Sequence, residues 1–303
     1  MVLSGIGLYE YPAFKAKKLH VFGRDEVVTL SGQVEGDEGN AYNHSWYEIN
    51  GEGFTYSGWV QPVETSYQRP VFDLLHVPQL GEVVVPVSVT RLEPFFYARN
   101  GLRLYYGSTY WITRIVVTPE EKGVWYELYD EKLNASFFAH SYEVRLVPDD
   151  ELTMLSPGVP EALKYIHLDL GAQLVTAFEG DKMVLSARCS SGAKGTRTPT
   201  GDFRTYHKGA SIHMSNEGDD EANVYNLPGV PWVSFFTGTG IGFHGTYWHN
   251  DYGRPRSHGC VNLPMPAAKF IFRWTRPVVP PDTTYLHLPG DGTRVEVTAS
   301  STS

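Results

Sequence analysis

The N-terminal half of the chain consists of short apolar stretches separated by polar turns, a pattern typical of β-strands. Trp46–Ile49 (WYEI) and Trp125–Leu128 (WYEL) form a weak internal repeat, and a turn-rich stretch and a further apolar strand follow each of them. Because repeated sequence units imply repeated folds, the pattern predicts two small antiparallel β modules, residues 1–65 and 80–150. We interpret the paired tryptophans as core residues. The alternative is that they stack on a ligand.

Two stretches interrupt this pattern. Residues 69–94 contain several prolines, which indicate an extended connection that includes an edge strand. Residues 149–160 mix acidic residues with Ser, Pro and Gly, the composition of an exposed linker. A domain boundary is therefore predicted at 149–160, before a third unit.

The third unit, residues 160–290, has its own strand patterns. Two apolar runs flank Glu179–Asp181 and predict a β-hairpin. Residues 230–245 (VPWVSFFTGTGIGFHG) predict two strands about a Gly-Thr-Gly turn. His244 is therefore expected near the end of a strand.

The spacing of apolar residues changes after Cys260. Pro264 or Pro266 suits the first turn of a helix. Apolar residues then recur at three- and four-residue spacing and would share one helix face: Ala267, Phe270, Ile271 and Trp274. The pattern predicts a short helix directly after the cysteine.

Composition supports a globular, mainly β protein. The chain has 303 residues, of which 42% are hydrophobic and 19% charged, enough for two or three packed domains. Its 30 glycines, 20 prolines and 14% aromatic residues favour short strands joined by turns. The net charge of -9, without a Lys/Arg cluster, argues against a nucleic-acid partner. Two cysteines give no disulfide framework.

The sequence also limits the relation to membranes. No run of about eighteen apolar residues is present, so no membrane span is expected. The first residues lack the charged-then-apolar order of a signal peptide. If the protein acts outside the cytoplasm, we expect its export segment to lie outside this sequence.

Candidate chemistry is concentrated in residues 244–264 (HGTYWHNDYGRPRSHGCVNLP), which hold three of the eleven histidines and one of the two cysteines. A cysteine attacks a carbonyl carbon as its thiolate and needs a base or cation nearby. His258 and His244 are both candidates for that base. Gly259 allows a sharp turn in which the N–H groups of residues 258–260 could receive an oxyanion. Ser257 and Asn262 flank this turn and suit supporting roles.

The histidines and cysteines allow two other interpretations. Cys189 lies in an apolar strand pattern and is expected to be a small buried hydrophobe. A zinc site could be made from four residues of ligand type, but their spacing matches no common close ligand pair: His244, His249, His258 and Cys260. We therefore expect no metal.

His244, a gap of twelve residues and the sequence Ser-His-Gly-Cys-Val-Asn at 257–262 resemble the signature of L,D-transpeptidase catalytic domains, also called YkuD-type domains. Three further stretches agree in the same order: KYIHLDLGAQLVTAFEG, TRTPTGDF and LPGVPWVSFFTGTGIGFHGTYWHNDYG. The resemblance runs from about residue 162 to about residue 288. In the N-terminal half, the WYEI strand, a glycine turn and GWVQPV resemble bacterial SH3-like domains. The second copy departs from that pattern, with FFAHSYEVRLV where the Gly-Trp pair would fall.

The resemblance implies a β-sandwich-like catalytic domain with a short helix after the nucleophile, preceded by two small β-barrel (SH3-like) modules. It implies that Cys260 is the nucleophile, that His244 is the general base and acid, and that the carbonyl of Gly245 orients His244. The backbone of His258 and Gly259 would shape the oxyanion pocket, with Ser257 and Asn262 as supports. No metal or organic cofactor is implied.

The implied reaction joins peptidoglycan stem peptides by 3→3 cross-links through a cysteine thioester, at the cell wall or cell surface. Carbapenem β-lactams are implied to acylate the cysteine. Two alternatives remain: an L,D-carboxypeptidase, in which water replaces the acceptor amine, and an inactive wall-binding protein. Four residues between base and nucleophile stay unassigned, because they could line a peptide groove or belong to a solvated loop: Trp248, His249, Arg254 and Arg256.

Overall fold

The computed structural model describes residues 1–40, 43–121, 123–216 and 224–299. Within these ranges the regular structure is almost entirely β, in four sheets, with a single α-helix. The mainly β prediction is therefore confirmed. No helix in these ranges is long and apolar enough to cross a membrane.

The first sheet has five strands in the order β2-β1-β5-β4-β3, and all its pairs are antiparallel. Its strands are β1 (Ile6–Tyr9), β2 (Lys18–Phe22), β3 (Leu30–Asn40), β4 (Asn43–Ile49) and β5 (Gly53–Tyr56). Trp46 on β4 is fully buried and makes edge contacts with the rings of Tyr9 and Tyr56. A short 3₁₀ helix, Ser57–Trp59, follows β5.

The second sheet has seven strands in the order β12-β6-β9-β10-β11-β7-β8, again antiparallel. Its strands are β6 (Gln79–Val83), β7 (Val87–Arg91), β8 (Asn100–Tyr105), β9 (Thr109–Thr118), β10 (Gly123–Asp130), β11 (Ala135–His140) and β12 (Val144–Leu146). Trp125 on β10 is buried like Trp46, so core packing is the right interpretation of both tryptophans. The two copies differ in strand number, and their SH3-like assignment and exact boundaries stay predictions.

The C-terminal unit contains two further sheets that share one core. One has the order β15-β14-β13-β22-β16, with β13 (Lys164–Asp169), β14 (Leu174–Glu179), β15 (Lys182–Arg188), β16 (Gly201–Arg204) and β22 (Arg294–Thr298). The other has the order β20-β19-β18-β17-β21, with β17 (His207–Ser215), β18 (Asn226–Phe235), β19 (Gly242–Gly245), β20 (Val261–Leu263) and β21 (Leu286–His287). The expected hairpin at 179–181 joins β14 to β15. The fold continues past residue 290, because β22 pairs with both β13 and β16.

The helix α1 (Met265–Trp274) begins directly after β20, as the spacing predicts. Pro264 is its N-cap, and its buried face includes Ala267, Ile271 and Trp274. The far end of α1 is held by Lys208 of β17, whose Nζ donates to the carbonyls of Phe272, Thr275 and Pro277. The carbonyls of Phe272 and Thr275, at the helix end, thereby gain a hydrogen-bond donor. The helix is thus fixed against the sheet that carries the site.

The N-terminal sheets contact the C-terminal unit. Leu80 and Trp111 of the second sheet belong to the same buried cluster as Phe243 and Val261 of the fourth. The first sheet reaches residues 250–256, where the N–H of Asn250 donates to the carbonyl of Gly58. The candidate site therefore has N-terminal neighbours that the sequence pattern does not reveal.

Candidate active site

A short parallel strand pair brings the two ends of the 244–264 stretch together. β19 and β20 pair so that His244 lies opposite Asn262 and Gly245 opposite Leu263. Cys260 immediately precedes β20. His244 and Cys260 line one cavity of about 340 Å³. Because residues 246–260 leave the sheet between the two strands, neighbours in the sheet need not be neighbours in sequence.

His244 is held in one tautomer by its own strand. Its ring is 2% exposed, and Nδ1 lies 3.0 Å from the carbonyl oxygen of Gly245. Since a carbonyl only accepts, Nδ1 must carry the proton, which leaves Nε2 as an acceptor. Burial lowers the pKa of His244 to about 4, against the effect of this hydrogen bond. The imidazole is therefore neutral at neutral pH, with a lone pair on Nε2.

Cys260 is partly exposed, and its Sγ is 3.6 Å from the carbonyl oxygen of Gly240. Burial raises the pKa of the Cys260 thiol, and a backbone hydrogen bond with Gly242 opposes that effect only in part. The resting group is therefore the thiol. A thiol in these surroundings needs a base to become a nucleophile.

The turn before the cysteine depends on Gly259, whose φ is +122°. A Cβ there would lie 3.1 Å from the side chain of Ile241, in a backbone region that L-residues rarely adopt. The hydroxyl of Ser257 accepts from the N–H of Gly259 and donates to the carbonyl of Cys260. In this state the Gly259 N–H already has a partner, so its role toward an oxyanion stays a prediction.

Two threonines of the TRTPTGDF stretch hold the same turn from outside. Thr198 Oγ1 donates to the carbonyl of Gly259 at 2.7 Å, and Thr196 Oγ1 donates to the carbonyl of Ser257 at 3.0 Å. Sequence reasoning noted the stretch but gave these hydroxyls no role. Their signal is the Thr-x-Thr spacing, which identifies no partner by itself.

Asn262 supports a different histidine from the one opposite it in the sheet. Its Nδ2 lies 2.8 Å from Nε2 of His249, while Nδ1 of His249 is 3.3 Å from the N–H of Asp251. Burial, together with the neighbouring arginines, holds the pKa of His249 well below its usual range. His249 is therefore a neutral residue of the cavity wall with a polar neighbour at each ring nitrogen.

Aromatic rings form the remaining walls. The Trp248 ring centre is 5.7 Å from that of His244, and the ring of Tyr225 is 5.1 Å from that of His258. His258, the other candidate base, also lines the cavity and contacts Tyr225.

Cys189 is fully buried, as expected, and burial raises the pKa of its thiol. In the described ranges, no group of three or more His, Cys, Asp or Glu residues could hold a metal ion.

Asp251 organises the outer part of the loop. Its side chain is completely buried and is bonded by the hydroxyl of Tyr56 at 2.8 Å and by Nη1 of Arg256 at 2.8 Å. Arg254 pairs with the same carboxylate. Sequence reasoning missed Asp251, because its partner Tyr56 lies 195 residues away.

Comparison with known proteins identifies the C-terminal unit. The family model described as the L,D-transpeptidase catalytic domain (YkuD) matches residues 163–297. No curated protein matched the sequence.

Several solved structures are similar to this chain. A mutant of the Enterococcus faecium L,D-transpeptidase is 26% identical over 45% of this chain and only 49% of its own length, with a TM-score of 0.37. The catalytic domain of the E. faecium L,D-transpeptidase acylated by ertapenem is 28% identical over 45% of this chain and 96% of its own, with a TM-score of 0.36. An L,D-transpeptidase from Mycobacterium smegmatis is 19% identical over 71% of this chain and 100% of its own, with a TM-score of 0.38.

The family match covers both strand β19 with His244 and the turn that carries Cys260. Residues 163–297 of this chain are therefore an L,D-transpeptidase catalytic domain of the YkuD family.

Proposed function

We propose that the chain is a cysteine-dependent peptidoglycan L,D-transpeptidase that forms 3→3 cross-links between stem peptides. One observation carries this proposal. The hydrogen bond from His244 Nδ1 to the Gly245 carbonyl directs the proton-accepting Nε2 away from the backbone, in the same cavity as the Cys260 thiol. A neutral imidazole that lines one cavity with a neutral thiol is suited to act as its general base.

In the first step, Nε2 of His244 takes the thiol proton as Sγ attacks the carbonyl carbon between the third residue of a tetrapeptide stem and its terminal D-Ala. The tetrahedral intermediate collapses when the C–N bond breaks. His244 returns the proton to the leaving amine, and D-Ala departs. A thioester on Cys260 remains.

The second step regenerates the enzyme. An amine of a neighbouring stem attacks the thioester carbonyl while His244 accepts its proton, and the proton then passes to the departing thiolate. The product is an amide between two third-position residues. Backbone N–H groups of the 258–260 turn are the proposed donors to the oxyanion in both steps. Since Ser257 occupies the Gly259 N–H at rest, this donor would have to exchange partners during the reaction.

Partners and location follow from the same proposal. Carbapenems would acylate Cys260, and the protein would act outside the cytoplasm, at the cell wall or surface, where stem peptides are found. The N-terminal sheets would help place it there. Neither a metal nor an organic cofactor takes part in the proposed steps.

The test is a product assay with disaccharide tetrapeptide, followed by chromatography. Cross-linked dimer and free D-Ala support transpeptidation, whereas tripeptide without dimer identifies a carboxypeptidase. Intact-mass measurement after incubation with a carbapenem should show a single adduct, lost in Cys260→Ala and kept in Cys189→Ala. If the folded parent protein forms neither product nor adduct, an inactive wall-binding protein replaces this proposal.

A further inference from the structure

Arg256 is a cationic residue of the cavity wall, and two neighbours, Asp251 and Trp59, hold its side chain in place. It lines the same cavity as His244 and Cys260, and its side chain is 21% exposed. Nη1 donates to Asp251 at 2.8 Å, and the guanidinium carbon lies 4.3 Å from the centre of the Trp59 ring. A guanidinium fixed by an ion pair and by stacking loses little entropy on binding a ligand.

The local charge is not balanced. Asp251 carries one negative charge, and the guanidinium groups of Arg254 and Arg256 both pair with it. In the part of the chain that the structure describes, neither arginine pairs with a second carboxylate. The cluster therefore keeps one positive charge at the wall of the cavity.

The guanidinium of Arg256 also keeps unused donors. Its bond to Asp251 uses Nη1 and its contact with Trp59 uses the face of the group. A guanidinium has five N–H groups in a plane, arranged to bind a carboxylate by two parallel hydrogen bonds. No other hydrogen bond from this guanidinium is made within the described residues.

We propose that Arg256 binds a carboxylate of the stem-peptide substrate and so contributes to substrate selection. This inference rests on the proposed function. Stem peptides carry carboxylates in the donor and in the acceptor, and the cavity wall is compatible with either. Arg256 is a binding residue in this proposal and takes no part in proton transfer.

Arg254 provides the contrast. It pairs with the same oxygen of Asp251, but its side chain is 45% exposed and it does not line the cavity. Its charge helps neutralise the buried Asp251. Arg254 and Arg256 thus have separate roles, although both lie within three residues of the signature turn.

The positioning of Arg256 involves the first sheet. Tyr56, the last residue of β5, bonds to Asp251, and Trp59, in the 3₁₀ helix that follows, stacks on Arg256. The carbonyls of Ser57 and Gly58 accept from Asn250 on the same loop. We assign Tyr56 and Trp59 as positioning residues, so the first N-terminal unit sets the geometry of the substrate wall.

The experiment compares charged and neutral substrates of equal size. Steady-state kcat/KM is measured with stem peptides in which each carboxylate is replaced in turn by a carboxamide, first in the donor and then in the acceptor. For the carboxylate that Arg256 contacts, the parent enzyme should prefer acid over amide by about 10- to 100-fold, the usual range for a hydrogen bond to a charged group. Whether the preference appears in the donor or acceptor series identifies the stem.

Arg256→Gln should abolish the preference by lowering kcat/KM for the acid, with little change for the amide. Arg256→Lys should keep part of it, because an ammonium retains the charge but not the planar pair of donors. Arg254→Gln is the matched control and should retain the preference. Tyr56→Phe should weaken it without changing the pH dependence of kcat, since His244 is not affected.

Two results would overturn the proposal. One is a parent enzyme that turns over every acid and amide equally well. The other is an Arg256→Gln variant, folded by circular dichroism, that loses acid and amide turnover to the same extent. A parent enzyme inactive on all these peptides would instead contradict the proposed function, so the two failures are distinguishable.

Discussion

Two buried histidines of one cavity, His244 and His249, differ in their hydrogen-bond partners. His244 and His249 are each 2% exposed, and burial lowers the pKa of both. At His244 the carbonyl of Gly245 accepts from Nδ1 and leaves Nε2 available. At His249 both nitrogens face neighbours, Asn262 and the backbone of Asp251. Burial keeps both histidines neutral, but their hydrogen-bond partners decide whether a ring nitrogen is left to accept a proton.

The largest expected effect concerns Cys260, which lines the same cavity as His244. Cys260→Ala should lower the rate of acyl transfer by about a thousand-fold or more, because it removes the nucleophile of both steps. Cys189→Ala changes a thiol that is buried far from solvent and should leave the carbapenem adduct intact. Product chromatography and intact mass are the measurements. An unchanged rate in Cys260→Ala would end the cysteine mechanism.

The choice of base is the next test of the comparison. His244→Gln should lower kcat by about 100- to 10,000-fold, the usual contribution of a general base. His258→Gln, the other candidate from the sequence, should have a much smaller effect because its ring contacts Tyr225 at the cavity wall. Single-turnover acylation by a carbapenem separates the two. The opposite order of effects would transfer the role of base to His258.

The pH dependence of stability tests whether the histidines are buried in the neutral form. His244 has a folded pKa of about 4, below the ordinary value of 6.5. The unfolded chain therefore binds protons more readily between these values, and the folded state loses stability as pH falls from 6.5 to 4. The loss from His244 is about 3 kcal/mol. Above pH 6.5 this contribution is constant.

Urea unfolding between pH 4 and 7.5 measures this slope, and His244→Gln should reduce it. The same pKa predicts that acyl transfer does not fall through protonation of the base until the pH approaches 4. A fall in acyl-transfer rate centred near pH 6.5 as the pH is lowered would mean that His244 is accessible to water, contrary to its burial.

The smallest expected effect concerns Asn262, the neighbour of His249. Asn262→Ala removes the partner of His249 Nε2 and leaves that nitrogen unpaired in a buried position. Leaving a buried polar atom unpaired costs about 1 to 3 kcal/mol of stability, so we expect a lower free energy of unfolding and a smaller fall in kcat than in His244→Gln. Asn262→Asp keeps the shape and tests the hydrogen bond separately. If Asn262→Ala lowers kcat as much as His244→Gln, then the contact between Asn262 and His249 is as important for catalysis as His244, contrary to the comparison.

Much of the architecture was predictable from local patterns. The hairpin at 179–181, the strands on either side of the 238–240 turn and the helix after β20 all follow from spacing and turn residues. The burial of Trp46 and Trp125 follows from the rules of aromatic packing. The strand numbers of the N-terminal sheets did not follow, because pairing between distant strands is decided by the fold and the repeat is short.

The candidate site divides in the same way. Its ends were predicted from the sequence: side-chain chemistry favoured Cys260 with either His244 or His258 as its base, and the resemblance to L,D-transpeptidase domains selected His244. Its middle could not be assigned. Asp251 has no special signal in sequence, and its meaning comes from Tyr56 and Arg256, which arrive from different parts of the chain.

The sequence by itself determined the β-rich class, the helix after the cysteine and the residue types needed for thiol chemistry, because these depend on local spacing and side-chain chemistry. Only the tertiary structure decided the rest. It distinguished His244 from His249, paired Asn262 with the latter and placed Trp59 against Arg256. The physical reason is that hydrogen bonds, burial and the resulting pKa shifts depend on neighbours in space, which may lie nearly 200 residues away in sequence, as Tyr56 and Asp251 do with their separation of 195.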